Sequence, residues 1–343
     1  MPFGGNDWHA LTTEPVLEPA LPICDPHHHF WDSRAERVPY QRYELHELNA
    51  DIYGGHNVRS TVFIECRSMY RHRDDGPVEM RPVGEVEYVQ GIAAASASGL
   101  YGPARAAAAI IGHANLNLGD KVAPVLEALK AASPNRFRGI RHSVTWDDNP
   151  EVENTAAHKM PNQLAGDTFL AGARVLARMG FTLEGWLYHP QLPELAAFAK
   201  AVPELTIILN HVGGLIRTGA YANRDTEVMA NWRSGIAAVA ACPNVVVKLG
   251  GLGMARCGFD WHTRHKPIGS EELALAMAPF FSHCIDQFTP ARCMFESNFP
   301  VDKVSFSYNV MYNAFKRFSK GYTASERAAM FQDTAARVYR IAG

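Results

Sequence analysis

The chain has no apolar run approaching the roughly 18 residues that a membrane-spanning helix needs, so an integral membrane role is not expected. It also lacks an excess of charge of either sign. Thirty-three Lys and Arg face thirty-five Asp and Glu, and such a balance gives no general attraction to nucleic acid or an anionic membrane. None of the six cysteines (Cys24, Cys66, Cys242, Cys257, Cys284, Cys293) forms a CxxC pair. Scattered cysteines in a chain of 343 residues read as reduced thiols of a cytoplasmic protein and not as a disulfide framework. The opening MPFGGNDWHALTTEP has no basic start followed by an apolar stretch, and no secretory leader is expected. No repeat, low-complexity tract or linker divides the sequence. We therefore expect one domain over residues 1–343, with 1–20 as an N-terminal extension.

What is present is a 47 % hydrophobic share, ample for a large core. Short β-rich runs alternate with helical patterns. Strands are expected at 21–25, 60–66, 107–115, 137–142, 181–187, 205–211, 244–250 and 292–297. Helices are expected at 84–98, 120–132, 167–179, 192–201, 225–241, 271–287, 307–318 and 324–340. Pro193 suits the first turn of its helix. Eight strands alternating with helices call for a parallel sheet closed as a (β/α)8 TIM barrel, distorted by long connections at 30–59, 67–83, 143–165 and 250–270. These connections follow strands, on the face where such barrels place their chemistry.

Polar residues gather at the carboxyl ends of all eight strands. They include Asp25, His27 and His29; Glu65 and Arg67; His113; Arg141 and His142; Tyr188 and His189; His211; Lys248; and Glu296, Asn298 and Asp302. A barrel interior is mostly apolar, so ionisable groups at one rim define a ring of candidates around a single mouth. Period-two alternation places Asp25, His27 and His29 on one side and His28 on the other. An HxH pair at that spacing suits zinc or a similar first-row ion. His113 reads as a satisfied core histidine. Arg67, Arg141 and Lys248 are expected to bind a substrate carboxylate or a developing oxyanion, with Tyr188 and His142 orienting the leaving group. The arginine-rich segment 67–83 is expected to form a solvated lid or subunit contact.

His27-His28-His29, then LYHPQLPEL with His189, ILNHVGG with His211, and MFESNFPVD resemble the amidohydrolase superfamily in its amidohydrolase-related branch. That branch includes 2-pyrone-4,6-dicarboxylate lactonase, 4-sulfomuconolactone hydrolase and sugar lactonases, and more distantly metal-dependent decarboxylases. The resemblance covers about residues 21–340 and implies a barrel with metal-ligating histidines after strands 1, 5 and 6. One departure stands out: Asn298 occupies the position of the family's strand-8 aspartate. An amide cannot take up a proton near neutral pH, which leaves Glu296 or Asp302 as the expected base.

The resemblance implies one divalent ion, zinc or manganese, held by some of Asp25, His27, His29, His189 and His211, with a metal-free site as the alternative. The implied activity is hydrolysis of a lactone or related carboxylic ester of a small substrate, with or without a carboxylate, by activated water. A metal-dependent decarboxylase and a catalytically silent binding barrel are the competing readings, and a homodimer is the expected assembly.

Overall fold

The computed structural model describes residues 5–34 and 40–342. Residues 1–4 of the N-terminal extension and residues 35–39 of the first long connection lie outside the described residues. Eight parallel strands follow one another around the sheet: β1 Pro22–His28, β2 Asn57–Ile64, β3 Arg105–Gly112, β4 Phe137–Ser143, β5 Thr182–Trp186, β6 Ile207–Leu209, β7 Val245–Leu249 and β8 Cys293–Phe295. The seam between β8 and β1 is joined by Asn298 N donating to the His27 carbonyl at 2.9 Å and His29 N donating to the Phe299 carbonyl at 2.8 Å. The sheet therefore closes as a (β/α)8 barrel.

Each strand leads to a helix: α1 Leu45–Ile52, α2 Val83–Ala97, α3 Ala123–Ala132, α4 Asp167–Arg178, α5 Leu192–Ala201, α6 Asp225–Ala240, α7 Ser270–Phe288 and α8 Tyr308–Phe318. α8 shows how these segments are specified. Ser307 caps its start by accepting from Val310 N, and Lys316 and Arg317 stand in the last turn, where they complement the helix dipole. Its buried face carries Val310, Met311 and Phe315, and the Phe315 ring stacks on Phe295 of β8 with centroids 4.8 Å apart. Truncating Phe295 to alanine is expected to cost about 3–5 kcal/mol.

α1 lies inside a segment whose sequence reads as loop. Its cap is Glu44, whose backbone N–H donates to Glu47 at 2.9 Å, and a glutamate is not the Ser, Thr, Asp or Asn that marks a helix start. The expected closing helix at 324–340 is divided into Ala324–Ala328, a wider π-helical turn at Ala329–Asp333, and Thr334–Val338.

Two cores result from strand alternation. Outward residues such as Ile23, Phe63, Ile110 and Val247 pack against the helices. Inward residues Cys24, Val62, Ile64, Ala109, Ile111, Ile208, Val246 and Met294 form an axial core, against which Ala335, Val338 and Tyr339 of the C-terminal segment pack. That segment floors the barrel at the end opposite the candidate site. The extension fastens to α7 and α8: Glu14 accepts from Ser270 N at 2.7 Å, and Asn313 donates to the Pro15 carbonyl at 2.9 Å. Among the described residues no helix is long and apolar enough to cross a membrane.

The turn after β2 hangs on one buried carboxyl. Glu85 of α2 accepts from Cys66 N at 3.0 Å and Ser68 N at 2.7 Å, flanking Arg67, whose φ is 62°. Burial, reinforced by the nearby Glu65 carboxylate, pushes Glu85 up to about 8. The folded protein thus keeps a proton that the unfolded chain releases above about 4.5, and this group's contribution to stability declines as pH rises from about 4.5 to about 8. We predict that Glu85→Gln gains stability relative to the parent across that window and then levels off. Urea unfolding of both proteins at several pH values measures it; a difference independent of pH would contradict it.

Candidate active site

The chemistry collects at the carboxyl ends of the strands, and its centre is a fully buried carboxylate. Glu296, just past β8, places Oε1 2.7 Å from His211 Nδ1 and 3.1 Å from His211 N, and Oε2 2.7 Å from His27 Nδ1. The two imidazoles are tilted by 38° with centroids 4.5 Å apart. Backbone approach at β7 makes room for them. A Cβ on Gly250 would fall 2.5 Å from Glu296 Cγ, and one on Gly251 would fall 2.3 Å from His211 Cβ. The turn carrying His211 is left-handed at non-glycine residues, with φ of 54° at His211 and 46° at Val212. A β-branched residue there costs on the order of 1–3 kcal/mol. Trp232, donating to the Val212 carbonyl at 2.7 Å, and Glu296, accepting from His211 N, hold the turn in place.

Beneath this cluster lies Lys248, wholly buried, with Nζ 2.8 Å from Glu184 and 3.3 Å from His27 Nδ1. Glu184 also accepts from Asn210 and from the Tyr339 hydroxyl of the barrel floor. Above it, Arg141 donates from Nε to Glu65 at 2.8 Å and to the Glu65 carbonyl, and its Nη1 stands 3.3 Å from His27 Nε2. Burial, then Lys248 and the neighbouring imidazoles, hold His27 well below the ordinary histidine range. Burial and Arg141 do the same for His29, and burial, Arg141 and Lys248 for His211. All three rings are neutral at pH 7. Burial pushes Glu296 up to about 8 against the opposing pull of Lys248.

His29 stands beside this cluster, its ring 5.0 Å from that of His27. Its Nδ1 bonds the Ile64 carbonyl at 2.8 Å, so Nδ1 bears the hydrogen and Nε2 is left as an acceptor. His29, Arg141, His211 and Asn298 reach a cavity of about 500 Å³. Among the described residues its wall bears five cationic side chains, Arg34, Arg67, Arg141, Lys159 and Arg256, against two carboxylates, Glu65 and Glu153. Coulomb attraction at such a wall favours an anionic guest.

The residues fit a divalent cation. Donor atoms of His27, His211 and Glu296 lie within 4.8 Å of one another, and all three residues are buried. Glu296 Oε2 has no hydrogen-bond donor although His27 Nδ1 is 2.7 Å away. Loss of the proton at that short contact leaves two electron-rich atoms placed to share a positive ion. Two imidazoles and a carboxylate are also a recurring catalytic zinc set.

Several expected site residues are placed elsewhere. A bulge in β1 between Asp25 and His28 breaks the alternation, so Asp25 does not share the side of His27 and His29. Its oxygens accept from Ser297 N at 3.0 Å, His27 N at 3.3 Å and the Tyr308 hydroxyl at 3.1 Å, which ties β1, β8 and α8 together. His28 does lie on the opposite side, bonded to Thr61 and packed on Phe30 and Phe63. His189 is carried past the end of β5 into a short 3-10 turn, where its Nδ1 accepts from Ile216 N at 3.4 Å and its ring packs on Tyr221. It is not in the donor group.

Asp302 stands behind Asn298, accepting from its amide at 2.8 Å and from Gly253 N at 3.0 Å, and does not line the cavity. Lys248 is below the floor and out of a substrate's reach. His142 uses Nδ1 to accept from Leu116 N, and its Nε2 faces the Gln163 amide at 3.0 Å inside a packed layer. Tyr188 is buried, donating to the Glu153 carbonyl and receiving Arg256, so it positions the wall and does not meet the substrate. His113, bonded to the Arg141 carbonyl at 2.9 Å, sits outside the donor group. Sequence reasoning missed Glu184, Arg34, Lys159 and Arg256. Glu184 was discernible as an acid inside an apolar strand; the other three stand in long connections with no periodicity to orient them.

The family profile described as Amidohydrolase matches residues 24–341. The Sinorhizobium fredii protein y4mH is 28 % identical over 346 aligned residues, covering 94 % of this chain and 99 % of its own length. An L-fucono-1,5-lactonase of Burkholderia multivorans is 30 % identical over 176 residues, covering 50 % of this chain and 56 % of that enzyme. The crystal structure of an amidohydrolase from Burkholderia multivorans with bound zinc superposes with a TM-score of 0.71 at 23 % identity, covering 93 % of this chain and 99 % of that one.

The Lys248–Glu184 pair under the site yields a prediction. Lys248→Met leaves the buried Glu184 carboxylate without its counter-charge and is expected to cost about 3–5 kcal/mol. Pairing it with Glu184→Gln removes the orphaned charge and should recover much of the loss. Urea unfolding of the single and double variants tests this; equal loss in both would show that packing alone is at stake.

Proposed function

We propose, from the premise that this chain belongs to the amidohydrolase family, that it hydrolyses a lactone or related carboxylic ester of a small anionic substrate. The observation that carries the reading is the grouping of three neutral histidines and the Glu65-anchored Arg141 at one end of a cation-walled cavity. The lactonase relative supports the same reaction class.

Each group has a defined task. His29 presents Nε2 as a proton acceptor because the Ile64 carbonyl occupies Nδ1, and it takes the proton of the attacking water. Arg141, its fork fixed by Glu65, donates to the oxygen on which negative charge develops. Asn298, held by Asp302, orients water or the ring oxygen by hydrogen bonding, a role open to an amide. Arg67, fixed to the Thr155 carbonyl at 2.9 Å, and Arg256 bind the substrate's carboxylate. A divalent ion, when bound by His27, His211 and Glu296, supplies Lewis-acid polarisation of the scissile carbonyl. Zinc suits this donor set, and manganese is the alternative. A zinc-bound relative supports that choice.

A pH-stat assay over a lactone and ester panel including L-fucono-1,5-lactone, with added Zn²⁺ or Mn²⁺ and with chelator, tests the reading. Acid release without carbon dioxide is expected. Carbon dioxide release from carboxylated aromatic acids would instead identify a decarboxylase, and inertness toward the whole panel would identify a binding barrel. Within an active enzyme, His29→Ala should lower kcat by roughly 10²–10⁴-fold. Arg256→Gln should act mainly on KM, and His189→Ala should leave kcat within a few-fold of the parent. Comparable collapse in His29→Ala and His189→Ala would contradict the assignment of His29.

The reading also keeps a cytoplasmic homodimer. The six cysteines are all free and buried, which supports a reducing compartment. Sedimentation at micromolar concentration should give twice the chain mass; a single-chain mass would refute the dimer.

A further inference from the structure

A second cavity, of about 730 Å³, opens at the other end of the barrel, where the strands begin. Its wall includes Pro22 at the start of β1, Arg59 near the start of β2, Arg105 at the first position of β3, and Arg136 and Arg138 flanking the start of β4. Arg340, in the C-terminal segment that floors the barrel, completes it. Five arginines thus converge on one space, and among the described residues no aspartate or glutamate lines it.

The bonds these arginines make go to neutral oxygens. Arg138 donates to the carbonyls of Tyr339 and Asn135, each at 2.7 Å, and of Phe137 at 3.1 Å. Arg136 donates to the Gln90 amide oxygen at 3.1 Å, Arg105 to the Pro103 carbonyl at 3.1 Å, and Arg340 to the Gly180 carbonyl at 2.7 Å. Among the described residues none of the five forms an ion pair with a carboxylate. Four of the five guanidiniums are thus tied to neutral oxygens, while Arg59 is exposed to solvent. Burial and the neighbouring Arg340 push Arg138 below the ordinary arginine value, as expected where like charges face one another.

This accumulation is not a by-product of a basic protein, because acids outnumber Lys and Arg in the chain. Nor does substrate binding account for it: the catalytic cavity lies at the opposite ends of the same strands, with its own set of cations. A space of several hundred cubic ångströms accommodates one small molecule. Guanidinium forks favour planar, multidentate oxygen acceptors, the geometry of phosphate and carboxylate groups. We propose that the amino-terminal face of the barrel carries a binding site for one small polyanion bearing phosphate or carboxylate groups, formed by Arg59, Arg105, Arg136, Arg138 and Arg340.

Calorimetric titration of the full chain in low-salt buffer with pyrophosphate, and separately with citrate, tests the proposal and tells the two oxygen chemistries apart. Saturable binding of at least one probe is expected. It should persist in Arg256→Gln, which alters the catalytic cavity, and weaken by about tenfold or more in the Arg105→Gln/Arg340→Gln double variant. Thermal unfolding verifies that the double variant is folded, and Arg59→Gln provides a second exposed substitution should it not be. Absence of saturable binding by both probes would overturn the proposal. So would binding that is lost in Arg256→Gln and retained in the variants at the amino-terminal face.

Discussion

A carboxylate withdrawn wholly from water must find its compensation among its neighbours, and Glu296 imposes that requirement at the centre of the barrel. Its two oxygens are the points to which His27 and His211 are drawn, and one of them also fixes the backbone of the His211 turn. The absence of side chains at Gly250 and Gly251 follows from the same crowding. So does the left-handed conformation at Val212, whose strain is tolerable because Trp232 holds its carbonyl and Glu296 holds the preceding N–H of His211.

The electrostatics divide by depth. Below the histidines, Lys248 is bound to a carboxylate that is itself held by Asn210 and the floor residue Tyr339, so the charge there is local and compensated. At cavity level, cations exceed carboxylates and part of the positive charge is left for a guest. Burial, reinforced by Lys248 below and Arg141 above, keeps the imidazoles neutral, as proton acceptors and cation ligands must be. The upper layer carries the positive charge that the proposed anionic substrate would meet.

The barrel and the histidine core were legible in the sequence because both depend on local periodicity. Strand alternation sorts His27 and His29 from His28, and helix patterns recur between β-rich runs. Alternation failed at Asp25, where a bulge inserts a residue; Pro26, a poor fit to a regular strand, was its one sign. It failed again at His189, because β5 ends at Trp186 and the chain turns before the histidine. Lys248 was recognisable as a buried lysine, but its partner depends on a contact with β5 that only the closed barrel creates. The cations of the cavity wall stand on long connections, whose course follows from tertiary packing and not from pattern. Asn298 showed the converse: its departure from the family pattern was visible, while its hydrogen bond to Asp302 depends on the course of the turn after β8.

The account centres on His27, His211 and Glu296 acting as one cation-ready group. Anomalous diffraction at the zinc absorption edge, from crystals of the full chain equilibrated with zinc, addresses this directly. The expected map has its strongest peak within bonding distance of those three side chains. A strongest peak at His189 or His113, or no peak among His27, His211 and Glu296, would contradict it.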